Sequence, residues 1–234
     1  DHRDLHSFPT RRSSDLMKRA RLYPDSGVEL TRFTALHYDR LMNIASGGRY
    51  RKFIHRAIRN LEIMPDDTII DLGCGTGRNA ALMLDYLEES GKITGIDLSP
   101  IMRNQFTQRF EGEKRAKFLQ QRIDIPFDLN EKADLIFISF VIHGFPHDVR
   151  LAIIENVKRH LTPGGTFAIL DFAEFDMNKM PALHRWIFKT FECKYAHDFV
   201  EKDWKNILQN SGFTFHSEHF YMKNYVRLLK AILA

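Results

Sequence analysis

An apolar run that ends in a carboxylate and then turns through alternate glycines, Ile69-Ile70-Asp71-Leu72-Gly73-Cys74-Gly75-Thr76-Gly77, leaves this chain few ways to fold. The apolar residues predict a strand. Glycines at every second position let the backbone turn sharply and approach a ligand at a distance that any Cβ would block. A second segment, Gly95-Ile96-Asp97-Leu98-Ser99-Pro100, delivers another carboxylate. In a doubly wound sheet that acid lies where an adenosine ribose sits, because a carboxylate can accept hydrogen bonds from both ribose hydroxyls. The residues therefore predict a nucleotide-cofactor site. A dinucleotide fingerprint needs G-x-G-x-x-G to seat a pyrophosphate on a helix N-terminus, whereas this chain has G-x-G-x-G, with Arg78 at the third fingerprint position. That spacing disfavours a nicotinamide-dependent dehydrogenase and favours a cofactor without pyrophosphate.

Strands and helices are expected to alternate around this turn, as a parallel sheet with crossover helices demands. The pattern predicts strands near 68–72, 92–97, 117–120, 135–139 and 166–171, with helices near 77–89, 99–110 and 147–160. Ser99-Pro100 is a good helix start, with serine as cap and proline in the first turn. Before the sheet, one helical pattern covers 29–44. In a second, Tyr50, Phe53, Ile54, Ala57, Ile58 and Leu61 share one face, while Arg49, Arg51, Lys52, Arg56 and Arg59 take the others. That basic face reads as solvated surface or as a docking surface for an anionic substrate or membrane. A helix rich in aromatic residues (Trp186, Phe188, Phe191) is expected over 176–191. Two closing strands, 213–220 and 225–234, have no crossover between them and so should be antiparallel.

Residues 1–16 resemble one reading frame of a sequencing adapter and show no apolar periodicity, so they are expected to be a non-native tail, with Met17 a natural start; a native disordered tail is the alternative. The remainder, 17–234, is expected to form a single domain, with lid helices over 17–62 and a catalytic sheet over 63–234. An apolar content of 44% suits one α/β core. The two cysteines, Cys74 and Cys193, make neither a disulfide framework nor a metal cluster, so no metal is expected and a reducing, cytoplasmic compartment is. No apolar run approaches the roughly 20 residues of a spanning helix, so stable membrane insertion is not expected, although transient membrane contact is compatible with an apolar substrate. A pI near 9.0 permits an anionic partner, but the excess of basic residues is modest and nucleic acid is not expected.

D-x-G-x-G-x-G resembles the first motif of the class I S-adenosylmethionine (SAM) methyltransferases, and three further stretches match that family in order and spacing. Asp97 and Leu98 head the ribose motif. Ile123-Asp124-Ile125-Pro126-Phe127 resembles the segment in which an acid binds the adenine amino group and an apolar neighbour covers the ring. Leu161-Thr162-Pro163-Gly164-Gly165-Thr166 resembles the turn that enters the fifth strand. The resemblance implies a Rossmann-like doubly wound α/β sheet of seven strands, mostly parallel with an antiparallel C-terminal strand, preceded by lid helices. It also implies SAM as methyl donor and S-adenosylhomocysteine as product. On it, Asp71, Gly73, Cys74, Gly75, Gly77, Asp97, Leu98, Asp124, Ile125 and Ser139 are the expected cofactor-binding residues. Phe33-Thr34-Ala35-Leu36-His37-Tyr38-Asp39-Arg40 is similar to the opening of the ubiquinone and menaquinone biosynthesis C-methyltransferases, which implies that Tyr38 lines the acceptor pocket. His143-Gly144 stands where those enzymes tend to have Arg-Asn, which points to the broader small-molecule group.

Ser139-Phe140-Val141-Ile142-His143-Gly144 follows the fourth strand, whose carboxyl end borders both cofactor and acceptor in such a sheet. His143 there suits a general base for a hydroxyl or an acidic carbon; a histidine that only packs beside the cofactor is the competing reading. The segment lacks the Asn/Asp-Pro-Pro-aromatic motif of amino-methylating nucleic-acid enzymes. The expected acceptor is a small aromatic or apolar carbon or oxygen nucleophile, for an enzyme that is a monomer or homodimer; a noncatalytic SAM-binding or partner-activating module is the alternative.

Overall fold

Alternation of buried side chains along the central strands sets the layering. In Ala133–Ser139, Leu135 and Phe137 pack to one side of the sheet while Ile136 and Ile138 pack to the other, and in Leu161–Phe172, Ala168 and Leu170 oppose Phe167 and Ile169. Both faces are covered, which is why these strands read as near-continuous apolar runs. The computed structural model describes residues 49–129, 131–182 and 194–234. The helical pattern at 29–44, Tyr38, Cys193 and the aromatic cluster of Trp186, Phe188 and Phe191 lie outside the described residues.

In chain order the described elements are α1 Arg49–Arg59, β1 Thr68–Leu72, α2 Arg78–Leu84, β2 Lys92–Asp97, α3 Pro100–Arg109, β3 Ala116–Gln120, β4 Ala133–Ser139, α4 His147–His160, β5 Leu161–Phe172, α5 Lys194–Val200, α6 Trp204–Asn210, β6 Phe213–Tyr221 and β7 Val226–Leu233. The seven strands lie in the order β3-β2-β1-β4-β5-β7-β6. Pairing is parallel from β3 through β5, and β7 runs antiparallel to both β5 and β6. Only β7 is therefore reversed, as expected for a closing hairpin that inserts its second strand beside β5. The chain steps from β1 outward to β3 and then returns to β4 on the other side of β1. The crevice where this order reverses, outside the carboxyl ends of β1 and β4, is where open α/β sheets hold ligands.

Helices α1 and α2 cover one face through Phe53, Ile54, Ala57, Ile58, Ala80 and Met83, and α4, α5 and α6 cover the other through Ile153, Ile154, Val157, Phe199, Trp204 and Leu208. Helix α2 is shorter than the predicted 77–89. After Leu84 the chain tightens into i→i+3 bonds from Tyr86 and Leu87, and Glu88 N–H is drawn to the Pro65 carbonyl at 2.8 Å. The short helices α5 and α6 carry too few turns to show a period, and α6 is set by its cap, with Asp203 accepting from Asn206 N–H at 3.0 Å. Among the described residues no helix is long and apolar enough to cross a membrane.

Candidate functional site

Three strands end in carboxylates at the crevice, and each is held differently. Asp71, near the end of β1, is 1% exposed, and its Oδ2 has no hydrogen-bond partner among the described residues. Burial, and secondarily the charge of Asp97, pushes its carboxyl up to about 8. A buried carboxylate oxygen without a donor is costly. Asp97 closes β2 and accepts from Gly75 N–H at 3.0 Å and Ser99 N–H at 2.8 Å, so it fastens the glycine turn to the start of α3. Its pKa is raised by burial against the opposing pull of those backbone donors. One buried and one half-buried acid thus face one turn, and the arrangement suits a ligand that brings a cation and hydroxyl donors.

The glycines of the turn divide by what surrounds them. Gly77 has φ 76°, and a Cβ there would stand 2.6 Å from the Phe110 ring and 2.7 Å from the Phe106 ring, so this position serves helix packing. Gly75 has φ 54°, and a Cβ there would meet only Met102 Sδ at 3.9 Å; its space is open, as a cradle for a ligand requires. Cys74 is buried in the turn, with its N–H, like that of Gly73, donating to the Ile96 carbonyl. Leu98 (36% exposed) and Ile125 (38%) are large apolar side chains left open at this end of the sheet, which suits them to cover a ring. Asp124 is held by Arg122 through two contacts of 3.0 and 2.5 Å, so this acid already has a cation partner. Its segment is fixed from behind by Asn156 of α4, whose side-chain amide donates to the carbonyls of Ile123 at 2.8 Å and Ile125 at 2.9 Å.

Ser139 ends β4, and the chain turns at Phe140 with φ 52° into a short 3-10 turn, Ile142–Gly144. This turn carries His143, 14% exposed on its side chain, whose Nδ1 lies 2.7 Å from Asp171 Oδ1. Asp171, near the end of β5, is 1% exposed and also accepts from the backbone N–H of Phe172 at 2.8 Å and, more weakly, of His143 at 3.4 Å. A carboxylate so tied holds the imidazole with its proton on Nδ1 and leaves Nε2 as the acceptor nitrogen. The turn is braced by Arg150 of α4. Its fully buried guanidinium donates to the carbonyls of Ile142 (3.3 Å), His143 (3.1 Å) and Tyr195 (2.5 Å) and pairs with Asp198 at 2.6 Å.

Asp71, Asp97, Leu98, the glycine turn and Ser139 thus gather at one end of the sheet, with His143 on the turn that follows β4, while Tyr38 lies outside the described residues. Asp171, Arg150 and Asn156 were not read from the sequence. A signal existed for each. Asp171 closes an apolar strand with an acid, the same pattern that marks Asp71 and Asp97. Arg150 and Asn156 fall at helical spacing with Ile153, Ile154 and Val157, on the face of α4 that must be buried.

Residues 69–165 match the family described as methyltransferase domain. An uncharacterized methyltransferase of Synechocystis is 29% identical over 82% of this chain and 87% of its own length. A demethylmenaquinone methyltransferase of Bacillus licheniformis is 25% identical over 72% of this chain and 73% of its own. Among solved structures, a SAM-dependent methyltransferase from Aquifex aeolicus is similar with a TM-score of 0.59 at 21% identity, covering 77% of this chain and 89% of that one. The N-methyltransferase NodS of Bradyrhizobium japonicum, solved with S-adenosylhomocysteine, has a TM-score of 0.56 at 14% identity, covering 80% and 87%.

Proposed function

We propose that this chain, which carries the methyltransferase domain and is a class I SAM-dependent methyltransferase, methylates an oxygen or an acidic carbon of a small aromatic or apolar acceptor, with His143 as general base. The observation that carries this reading is the 2.7 Å contact between His143 Nδ1 and the buried Asp171 at the carboxyl end of the sheet. A histidine that only packs beside a cofactor has no need of a buried carboxylate on its far nitrogen; one that must take a proton does.

The residues fit SAM by two features: the orphaned Asp71 Oδ2 calls for a donor, and the open space at Gly75 calls for a close neighbour. SAM, when bound, supplies an electrophilic methyl on a sulfonium. On this reading Asp71 orients its methionine part and Gly73, Cys74, Gly75 and Gly77 make room for it. Asp97 accepts from the ribose, Leu98 and Ile125 cover the adenine, and Asp124 reaches its amino group through whatever capacity the Arg122 pair leaves. Ser139 borders the cofactor. His143 Nε2 takes the acceptor's proton while Asp171 stabilises the imidazolium that forms, and Tyr38 belongs to the acceptor side. Methyl transfer by in-line displacement needs donor and acceptor held collinear and near contact, so positioning is the greater part of what this site has to do.

The unit that does this is taken as 17–234, with 1–16 a non-native tail. Relatives named demethylmenaquinone methyltransferase support testing a quinone-like ring first. The test is a panel of phenols, hydroxyquinones and 1,3-dicarbonyl compounds assayed for S-adenosylhomocysteine release. Turnover on one of these, lost in His143→Gln while S-adenosylhomocysteine still binds, supports the reading; full activity of that variant overturns the base.

A further inference from the structure

The basic character of this chain is concentrated in one helix that the catalytic reading does not use. Helix α1, RYRKFIHRAIR, carries five Lys and Arg and no acid, more positive charge than the net +4 of the whole chain. Phe53, Ile54, Ala57 and Ile58 are sealed in the core, while Arg51, Lys52, His55, Arg56 and Arg59 are all exposed. Among the described residues none of these four Lys and Arg side chains is paired with a carboxylate. Arg56 and Arg59 lie close enough to Tyr221 for their charge to act on its phenol, which also accepts from Asn60 Nδ2 at 2.8 Å and packs edge-on to Phe53 at 5.1 Å. Tyr221 leads into the β6–β7 turn, where Met222 is 45% exposed and is followed by Lys223. Because Tyr221 pairs with Val226 and Val226 with Phe172, this turn sits at the carboxyl end of β5, the end that holds His143 and Asp171.

We propose that the outer face of α1, with the β6–β7 turn beside it, docks this protein on an anionic lipid bilayer. The sealed apolar face rules out insertion of the helix, so attachment is by charge, with Met222 the apolar contact, and is reversible by salt. A nucleic acid is the competing ligand for a basic face, and the aliphatic side chain of Met222, 45% exposed beside it, suits acyl chains better than bases. A line of rings links the patch to the site: Phe53 to Phe140 at 6.2 Å, Phe140 to Phe172 at 6.3 Å, and Phe172 to His143 at 5.0 Å. The docking itself rests on charge; its use, delivery of an acceptor dissolved in the bilayer, rests on the apolar-acceptor reading above.

The full chain is sedimented with vesicles of phosphatidylcholine alone and of phosphatidylcholine with phosphatidylglycerol, at low and high salt. Binding is expected only to the anionic vesicles and only at low salt. Arg51→Gln/Arg56→Gln/Arg59→Gln should lower the partition coefficient by about a hundredfold, since each exposed basic residue near such a surface contributes about fivefold. Met222→Ser should lower it by a smaller factor. These side chains are exposed, so an unchanged thermal melt verifies folding, and S-adenosylhomocysteine binding measured on the same variants reports the cofactor reading separately. Equal binding to neutral vesicles, no binding to anionic ones, full binding by the triple variant, or displacement from vesicles by a stoichiometric oligonucleotide would each overturn the proposal.

Discussion

Asp71→Asn should make this protein more stable and worse at holding its cofactor. The carboxyl is 1% exposed with an oxygen that nothing among the described residues satisfies, and its pKa stands at about 8 against an ordinary 3.8. A raised carboxylate pKa means that the folded state holds the proton more tightly than the unfolded one. Stability is then full below the ordinary value and falls as pH rises, until the folded group also ionises near 8. At about 1.4 kcal/mol per pH unit, the ceiling on the loss at pH 7 is about 4 kcal/mol, and at pH 5 it is below about 2 kcal/mol. Asparagine keeps the shape, removes the ionisation and retains a buried amide of its own, so about half the ceiling is the expected gain. That corresponds to a Tm raised by about 4–8 °C at pH 7 and by less at pH 5. Isothermal titration should show S-adenosylhomocysteine binding weakened by about 10- to 100-fold, the worth of a hydrogen bond to a charged group. A pH series of melting curves from 5 to 8 checks the first claim: a Tm difference that stays flat or turns negative with rising pH would refute the argument that burial of this charge is unpaid in the free protein. Unchanged affinity would refute the role given to Asp71 at the ligand.

The remaining predictions concern positioning. Asp171→Asn should lower kcat by about 10- to 100-fold and leave S-adenosylhomocysteine binding intact, while His143→Gln should cost about 10²- to 10⁴-fold; a His143→Gln pH–rate profile that keeps its acidic limb, the fall in rate as the base takes up a proton, would count against the pair. The two glycines should separate: Gly77→Ala, with its Cβ driven into Phe106 and Phe110, should cost at least about 2 kcal/mol of stability in a denaturant melt. Gly75→Ala should cost about 1 kcal/mol of backbone strain in the same melt and act mainly on ligand affinity. Asn156→Ala removes both donors that fix the segment bearing Asp124 and Ile125, so stability should fall by about 1–3 kcal/mol and adenosine affinity with it; a melt and a titration on one sample decide whether the two losses travel together.

Much of the fold was legible in order along the chain, because a parallel sheet covered on both faces writes its strands as apolar runs and its turns as glycines and capping residues. Helix 147–160 was expected where it stands, and the closing pair of strands was antiparallel as the missing crossover required. Helices α5 and α6 were not seen, since seven residues give too little periodicity and their apolar faces are defined by β5, β6 and α4, which lie far away in sequence. At the site, the glycine turn with Asp71 and Asp97 announced itself because a close backbone approach admits only one residue type and spacing. The partners of His143 did not: Asp171 lies 28 residues away and Arg150 contacts both the His143 carbonyl and Asp198, so neither role exists until β4, β5, α4 and α5 are packed together. Sequence by itself determined where the glycine turn and the strand-end carboxylates Asp71 and Asp97 fall along the chain. Only the tertiary structure decided which buried acids have donors and which do not, since that depends on the packing of strands whose neighbours in space are remote in sequence.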